Sequence, residues 1–364
     1  MDPSFEYVFP AIRGIQAKRE YYVSMCPLHL IPKLFLFDEE EMVPELRAQR
    51  VLNKSRIPEI ARYIIDGRDD YVFSAITASI DASVTFQVFG DQPKSSKVGI
   101  LHIPMSAKFI INDGQHRRAA IEMALQENPD IGDETIAVVF FLDKGLKRSQ
   151  QMFADLNRYA IRPSRSLGIL YDHRDESAKL SKLMALKSVA FKDVVEMDKS
   201  TLSPRSRKLF TLSAIHTATV VLLNGIDTET EEEKASLAIE YWDEIDKYIP
   251  EWRLVRSRQI TAGDVRQDFI HSHGVALHAL GKLGNELLLQ HSSQWKIVLQ
   301  KLVNIDWSRS NSDLWEGRAL IVGRVSKSHQ NVILTTNTIK MYLGIKLKPE
   351  EQSVENEFIG GTNV

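Results

Sequence analysis

The feature that most constrains the fold is a change of sequence pattern near residue 165. Before it, short β-branched or aromatic runs bounded by Gly, Pro, Asp or Asn predict strands at residues 71–80, 84–90, 98–104, 108–113 and 135–143. After it, long amphipathic stretches predict helices at residues 177–191, 205–224, 232–248, 265–291 and 294–303. The pattern predicts an α+β protein, with a mixed α/β domain at 1–165 and a mainly helical domain at 166–364.

Two helices are predicted among the strands of the first domain. Residues 56–66 carry isoleucines at helical spacing, and their proline stands in the first turn, where a helix tolerates it. Residues 115–128 form the second helix, which Pro129 closes. The polar segment "DGQHRR" therefore lies where a strand passes into a helix.

Charge and cysteine content narrow the class of protein. The net charge is −2 over 364 residues, so a contact with nucleic acid must come from local clusters of basic residues. The single cysteine, Cys26, excludes an intramolecular disulfide and fits a reducing cytosol. No apolar run approaches the ~20 residues of a membrane span, and the first residues lack the order of a signal peptide. We expect a cytoplasmic protein that makes no membrane contact.

The segment "DGQHRR", residues 113–118, has the composition of an anion-binding turn. Gly114 permits backbone conformations that other residues resist, and the first amides of the following helix have no internal acceptor. Arg117 and Arg118 add donors suited to phosphate oxygens. The predicted phosphate- or nucleotide-binding residues of this turn are Asp113, Gly114, Gln115, His116, Arg117 and Arg118.

The same segment resembles the motif that names the DGQHR-domain proteins. "DGQHR" stands at residues 113–117, and "MFADLNRYAIRPSRSL" resembles the second block of that family, with its core at Phe153, Asp155 and Asn157. The resemblance implies a fold distantly related to ParB and sulfiredoxin, in which the equivalent turn contacts nucleotide phosphates. Asp155 and Asn157 are expected to close the pocket formed by the DGQHR turn, and they complete the predicted phosphate- or nucleotide-binding residues.

Two later segments, residues 305–319 and 333–347, resemble the closing segment of the DndB family, which is associated with DNA phosphorothioation gene clusters. The resemblance implies a DNA-binding negative regulator of the modification genes. The turn departs from the ParB pattern at Gln115 and His116, which stand where ParB has a glutamate and an arginine. No cysteine lies near the motif in sequence, so the reductase chemistry of sulfiredoxin is not expected.

Basic residues cluster in two stretches outside the turn. One follows the last predicted strand, and the other, residues 199–215, contains no acid. Ser203 is expected to cap a helix beginning at Pro204, which would set basic groups against the helix dipole and favour an anionic partner. Such clusters supply most of the affinity for duplex DNA through its phosphates. The predicted DNA-binding residues are Lys147, Arg148, Arg158, Arg162, Arg165, Arg205, Arg207 and Lys208.

The remaining residues that could bind a metal ion do not form a complete set of ligands. Cys26 and His29 have the spacing of half a metal site, but no matching pair follows. We expect no metal, and we expect Cys26 to be a small buried apolar residue. Core or surface positions are expected for His271, His273, His278, Trp307 and Trp315.

Two functions remain open from the sequence. The first is a DNA-binding negative transcriptional regulator that occupies double-stranded promoter DNA as a homodimer, with phosphorothioate-modified DNA as a further expected partner. The second is a nucleotide-hydrolysing or DNA-nicking enzyme, with a nucleotide as its cofactor and Asp113 and His116 as its catalytic candidates. The sequence has neither a P-loop nor a dense carboxylate cluster, and this favours the regulator.

Overall fold

The fold is given by a computed structural model that describes residues 5–35, 54–90, 97–144, 148–158, 163–290 and 294–361. The chain divides into two compact units, Met1–Ile161 and Arg162–Val364, which we call the sheet unit and the helical unit. The first contains a mixed seven-stranded sheet and the second is mostly helical, which confirms the predicted α+β class. Within the described ranges, no helix is long and apolar enough to cross a membrane.

The sheet unit is built on seven strands, β1 (Glu6–Gln16), β2 (Arg19–Pro27), β3 (Ile76–Asp81), β4 (Thr85–Val88), β5 (Val98–Pro104), β6 (Lys108–Asp113) and β7 (Thr135–Leu142). Their spatial order is β4-β5-β1-β2-β7-β3-β6. Neighbouring strands are antiparallel except β3 and β7, which are parallel. The sheet is therefore mixed, and β6, which leads into the DGQHR segment, is its edge strand.

The first two strands form a hairpin that the sequence pattern did not predict. Its turn residues, Ala17 and Lys18, have positive φ angles of 50° and 63°. The outward-facing Val8 and Ile12 of β1 are more than half exposed although they are apolar, so the alternation that marks a half-buried strand is missing. The five predicted strands of this unit are confirmed as β3 to β7, although β3 begins at Ile76 rather than at residue 71.

Among the described residues of this unit, four helices accompany the sheet, α1 (Ile31–Leu34), α2 (Ile57–Asp66), α3 (Gln115–Glu127) and α4 (Ser149–Arg158). The structure confirms the two predicted helices as α2 and α3, which pack against each other. Ile64 of α2 and Ile121 of α3 are fully buried in the core that also holds Ile80 and Phe140 of the sheet. This packing fixes the N-terminus of α3 at the end of β6.

The helical unit contains eleven helices within its described residues, α5 (Arg165–Tyr171), α6 (Glu176–Lys187), α7 (Leu212–Leu222), α8 (Glu231–Asp246), α9 (Pro250–Arg256), α10 (Ala262–Asp268), α11 (Gly274–Gln290), α12 (Trp295–Leu299), α13 (Ser312–Trp315), α14 (His329–Leu343) and α15 (Pro349–Gly361). Two short strand pairs join them, β8 (Val195–Glu196) with β9 (Phe210–Thr211), and β10 (Leu320–Ile321) with β11 (Arg324–Val325). The central helix is α11, which packs against α7 and α14. A β-carbon at Gly281 would lie 2.5 Å from the Ala218 carbonyl oxygen, so glycine allows α11 and α7 to approach closely.

Two helix predictions for this unit are wrong. The predicted helix 265–291 is interrupted, because Phe269 is extended and the Ile270 amide donates to the Trp307 carbonyl (3.0 Å) instead of continuing the helix. No helix begins at Pro204, since residues 203–208 form turns and the next helix, α7, begins at Leu212. The carbonyl groups in the segment 203–208 are bonded by a distant arginine, as described below.

Candidate functional site

The DGQHR turn joins β6 to α3. Asp113 is the last residue of β6 and pairs with Thr77 of β3. Gly114 is the N-cap of α3 with a φ of 106°, a left-handed conformation that is costly for residues with a side chain. A β-carbon at this position would also lie 3.0 Å from Ile76 Cγ1. Among the described residues, no side chain caps α3. The helix therefore keeps the partial positive charge of its N-terminus.

The Arg117 guanidinium ties the turn to the segment that precedes β3. Its Nη2 donates to Asp113 Oδ2 (2.6 Å) and to the Ala75 carbonyl (3.2 Å), and its Nη1 donates to Ser74 Oγ (2.7 Å). Asp113 is thus the carboxylate that orients Arg117. A carboxylate already paired with an arginine favours a positioning role for Asp113 over a proton-transfer role.

Arg118 is occupied by the protein itself. Its side chain is 8% exposed, its Nε donates to the Phe35 carbonyl (2.9 Å), and its Nη2 donates to the Pro32 carbonyl (3.2 Å). Its Nη1 forms an ion pair with Glu122, one turn further along α3. The guanidinium therefore fixes the end of α1 to α3. Its donors are bonded within the protein, so it is less suited to binding a phosphate than the sequence pattern predicted.

An open cleft of about 400 Å³ lies beside the turn. Arg117 lines it together with Arg56, Glu59, Tyr63 and Ser74, so its wall carries two guanidinium groups, two hydroxyl groups and one carboxylate. Burial, followed by the charges of Arg56 and Arg117, lowers the pKa of His116. The lowered pKa favours the neutral form of the imidazole at pH 7. Arg56 is a member of this cleft that sequence reasoning missed, because 61 positions separate it from Arg117 in the chain.

The second sequence block lies on α4. Asp155 is exposed and accepts a hydrogen bond from Gln151 Nε2 (2.7 Å) on the same helix. At the start of α4, Ser149 Oγ donates to Asn112 Oδ1 (2.7 Å), and the Asn112 amide donates to Ser79 Oγ (2.7 Å). These three side chains are buried. Asn112 therefore connects the sheet to α4, and its place as a polar residue in the apolar strand "FIIND" is the sequence signal that could have revealed this role.

The predicted basic residues of this block are only partly described. The backbone amide of Arg148 donates to Asp143 Oδ2 (2.9 Å), which fixes the entry into α4. Lys147 and Arg162 lie outside the described residues, as do the side chains of Asn157 and Arg158.

The second basic stretch forms an exposed loop in the helical unit, which we call the basic loop (residues 198–208). Arg266 of α10 donates to the carbonyl groups of Ser203 (2.8 Å), Pro204 (3.2 Å) and Ser206 (3.3 Å) and also to that of Lys208. Arg205 and Arg207 are exposed. Within the described residues, neither of these two arginines has a hydrogen-bond or ion-pair partner, whereas Lys208 Nζ donates to the Asp193 carbonyl (3.0 Å).

Arg165 stands next to this loop, at the first position of α5. Ser164, the N-cap of α5, contacts the Asp198 carbonyl, and the Ser166 amide donates to Ser200 Oγ (3.0 Å). Arg165 itself is exposed. The structure therefore brings one end of α5 to the beginning of the basic loop.

The other candidates lie in the interior. Cys26 is fully buried, and burial raises the pKa of its thiol to about 12, so the thiolate needed for reactivity does not form at neutral pH. Trp307 and Trp315 stack on each other in the core at 5.6 Å between ring centroids, as predicted. His271 is fully buried beside Trp252 and Glu251. The described residues contain no group of three or more His, Cys, Asp or Glu placed to bind a metal ion.

Comparison with known proteins gives one match. The family model for DndB, described as DNA-sulfur modification-associated, matches residues 9–346 and so extends over both units. No curated protein and no solved structure matches the chain significantly.

Proposed function

The chain belongs to the DndB family, which is associated with DNA sulfur modification, and we propose that it is a DNA-binding negative transcriptional regulator of its modification genes. In this role it binds duplex DNA at the promoter of the gene cluster and represses transcription by occlusion. A palindromic operator would be matched by a homodimer of the chain. The protein would be cytoplasmic, where the promoter is accessible.

The basic loop is the observation that carries this proposal. Arg205 and Arg207 are exposed, and no described residue neutralises them. Arg266 holds the backbone between and beside them through four carbonyl groups, so the two guanidinium groups stand on a braced loop rather than on a loose one. Guanidinium groups presented in this way suit the phosphates of a DNA backbone.

Charge reversal in the basic loop tests the proposal. The double variant Arg205→Glu, Arg207→Glu is expected to bind duplex DNA at least about tenfold more weakly in a mobility-shift titration, and to do so for every sequence, because phosphates carry no sequence information. The matched control is Lys179→Glu, Lys187→Glu, which makes the same change of net charge at two exposed positions of α6. The control variant is expected to retain most of its affinity.

Two results would overturn the proposal. One is an absence of any duplex binding by the unaltered chain at low salt. The other is an equal loss of affinity in the loop variant and the α6 variant, which would show that net charge matters and the loop does not. Repression is measured separately, with a reporter gene placed behind the promoter of the modification genes, where the loop variant is expected to release expression.

A second candidate function rests on the cleft beside Arg117. Its guanidinium and hydroxyl groups are suited to a nucleotide phosphate, and His116, whose pKa is lowered by burial and by the charges of Arg56 and Arg117, is suited to proton transfer. Release of phosphate from ATP, GTP or CTP, measured with and without DNA, would support nucleotide hydrolysis if His116→Ala abolishes it. Duplex binding without any turnover would leave the regulator as the sole function.

A further inference from the structure

The central helix of the helical unit, α11, is buried on all sides except along one line. Between Val275 and Leu287, most of its side chains are buried, and the accessible positions are His278, Lys282 and Asn285. With Gly274 at the first position, these residues recur every three or four positions and therefore share one face of the helix. We call this face the α11 stripe. This line carries two basic side chains, His278 and Lys282.

A lysine from outside α11 lies over the beginning of the stripe. A β-carbon at Gly274 would lie 3.3 Å from Lys327 Nζ and 3.6 Å from Lys327 Cδ, so the lysine stem packs where Gly274 has no side chain. The same β-carbon would lie 3.7 Å from Ala214 Cβ, which places the first turn of α7 beside Lys327. His329, the first residue of α14, is close enough for its charge to act on His278.

No carboxylate of a described residue acts on the basic groups Lys327 and His278 at this end of the stripe. Partial desolvation and the charge of Arg165 lower the pKa of Lys327. Burial, then Lys327, Lys282 and His329, lowers the pKa of His278 to about 4. Within the described part of the chain, neither Lys327 nor His278 forms a hydrogen bond or an ion pair. Lys327 and Arg165 are both positive and repel one another, so a bound anion would stabilise them.

The opposite end of the stripe provides an internal comparison. There the buried Lys340 bonds to Glu286 (2.7 Å) and to Glu351 (2.6 Å), and Lys348 pairs with Glu286 (3.0 Å). The cations of that end are neutralised by the protein itself. At the other border, Asp172 and Asp175 act on His216, which also lies near Arg165. The region without a compensating carboxylate therefore contains Lys327 and His278, with Arg165 close enough for its charge to act on Lys327.

Backbone donors add to these side chains. Gly274 begins the 17-residue helix α11 and His329 begins the 15-residue helix α14. The N-terminus of α14 is closed by the Ser328–Asn331 capping box, whereas the N-terminus of α11, beside the ammonium of Lys327, favours a negative charge.

We infer that the beginning of the α11 stripe is a phosphate-binding site, in which Lys327, His278 and Arg165 bind the oxyanion of a phosphate ester. An ammonium, an imidazole donor and a guanidinium around one position match the several acceptor oxygens of such a group. Two sources supply this chemistry, a backbone phosphate of DNA and a free nucleotide. The DNA source rests on the function proposed above, whereas the nucleotide source does not.

The titration of His278 reports directly on the site. Its resonances are followed by NMR from pH 3.5 to 8 in the full-length chain, at constant ionic strength, with sodium chloride, inorganic phosphate, ATP or a duplex oligonucleotide. A bound phosphate opposes the cationic repulsion, so the midpoint is expected to rise by about one pH unit or more. A rise with the duplex identifies a backbone phosphate, and a rise with ATP but not with the duplex identifies a nucleotide.

Variants separate a binding role from a structural one. Lys327→Ala is expected to raise the His278 midpoint in chloride, because a neighbouring cation is removed, and to abolish the further rise on addition of ligand. Lys327→Arg is expected to restore the ligand-dependent rise. Lys296→Ala removes a lysine that is paired with Glu240 and is the matched control, which is expected to behave like the unaltered chain.

The outcomes distinguish this inference from the proposed regulator. Duplex binding by the unaltered chain, with no ligand changing the His278 titration, would overturn the phosphate site and leave the regulator standing. A ligand-dependent rise that survives in Lys327→Ala would also overturn it. A rise with ATP or inorganic phosphate in a chain that binds no DNA would support the site and contradict the regulator.

Discussion

The DGQHR turn and the basic loop are both rich in arginine, but they use it in opposite ways. In the turn, Arg117 is bonded to Asp113, Ser74 and Ala75, and Arg118 is bonded to carbonyl groups of the segment around α1. In the basic loop, the bracing is done by Arg266 from another helix, and Arg205 and Arg207 remain exposed.

A dense polar motif is not by itself a ligand site. A guanidinium has five donors, and when most of them meet protein acceptors in a buried position, the residue stabilises the fold. The part of the turn that lines a cleft is Arg117, which does so together with Arg56. The basic loop has no recognisable motif, yet it presents its charges to solvent.

The largest loss of stability is expected on replacing Arg118, the buried arginine whose donors bond to protein acceptors. Arg118→Ala should lower the free energy of unfolding by about 3 kcal/mol, because it leaves two carbonyl groups and Glu122 without their partner. Chemical denaturation followed by circular dichroism measures this. The control is Arg62→Ala, which breaks an exposed pair with Glu127 and should cost less than about 0.5 kcal/mol. A loss for Arg118→Ala no larger than that of the control would contradict the structural role.

The free energy of unfolding should depend on pH through His273, which contacts the arginine that braces the basic loop. His273 Nε2 bonds to the carbonyl of Arg266 (2.8 Å), and burial lowers its pKa to about 4. The unfolded chain, with an ordinary histidine pKa near ~6.5, binds more protons between pH 6.5 and 4. The free energy of unfolding should thus fall by about 2 kcal/mol as the pH falls through this window.

Tryptophan fluorescence is suited to this measurement, since all five tryptophans lie in the helical unit. His273→Gln is the variant to compare, because it removes the titrating group and keeps a side chain that can donate to the same carbonyl. An identical pH dependence in both chains would show that His273 is not responsible.

The stability of the protein should also be sensitive to a side chain at Gly114 in the turn. Gly114→Ala places a side chain at a φ of 106°, 3.0 Å from Ile76 Cγ1, and should cost about 1–2 kcal/mol of stability. Gly168→Ala in α5, where a β-carbon would meet nothing within 4 Å, is the matched change. It should be neutral or stabilising by about 0.5–1 kcal/mol, since glycine is unfavourable within a helix. Equal effects at the two glycines would refute the strain assigned to the turn.

The smallest effect on stability, and the sharpest effect on binding, is expected in the basic loop. Arg205→Ala should leave the free energy of unfolding within about 0.5 kcal/mol of the unaltered chain. It should reduce the slope of log affinity against log salt by about 0.9, the value of one lost phosphate contact. Binding titrations at four or five salt concentrations measure the slope. An unchanged slope for Arg205→Ala would show that this residue does not contact a DNA phosphate.

Local sequence patterns were sufficient to predict part of the fold. The strand β6, the helix α3 and the glycine between them were predicted because hydrophobic period, turn chemistry and helix ending all act over a few residues. The hairpin of β1 and β2 was missed because Val8 and Ile12 face solvent although they are apolar. The helix expected at Pro204 was wrong because its carbonyl groups bond to Arg266, about 60 positions away.

The sequence by itself determined the α+β class, the position of the DGQHR turn and the family to which the chain belongs. Tertiary structure alone decided which cations are occupied and which are free to bind. Arg118 meets Phe35 across 83 positions, and Arg117 meets Ser74 across 43, while Lys327 lies over Gly274 from another part of the helical unit. The reason is physical, since a charged side chain acts on whatever lies within a few ångströms, and only the folded chain fixes those neighbours.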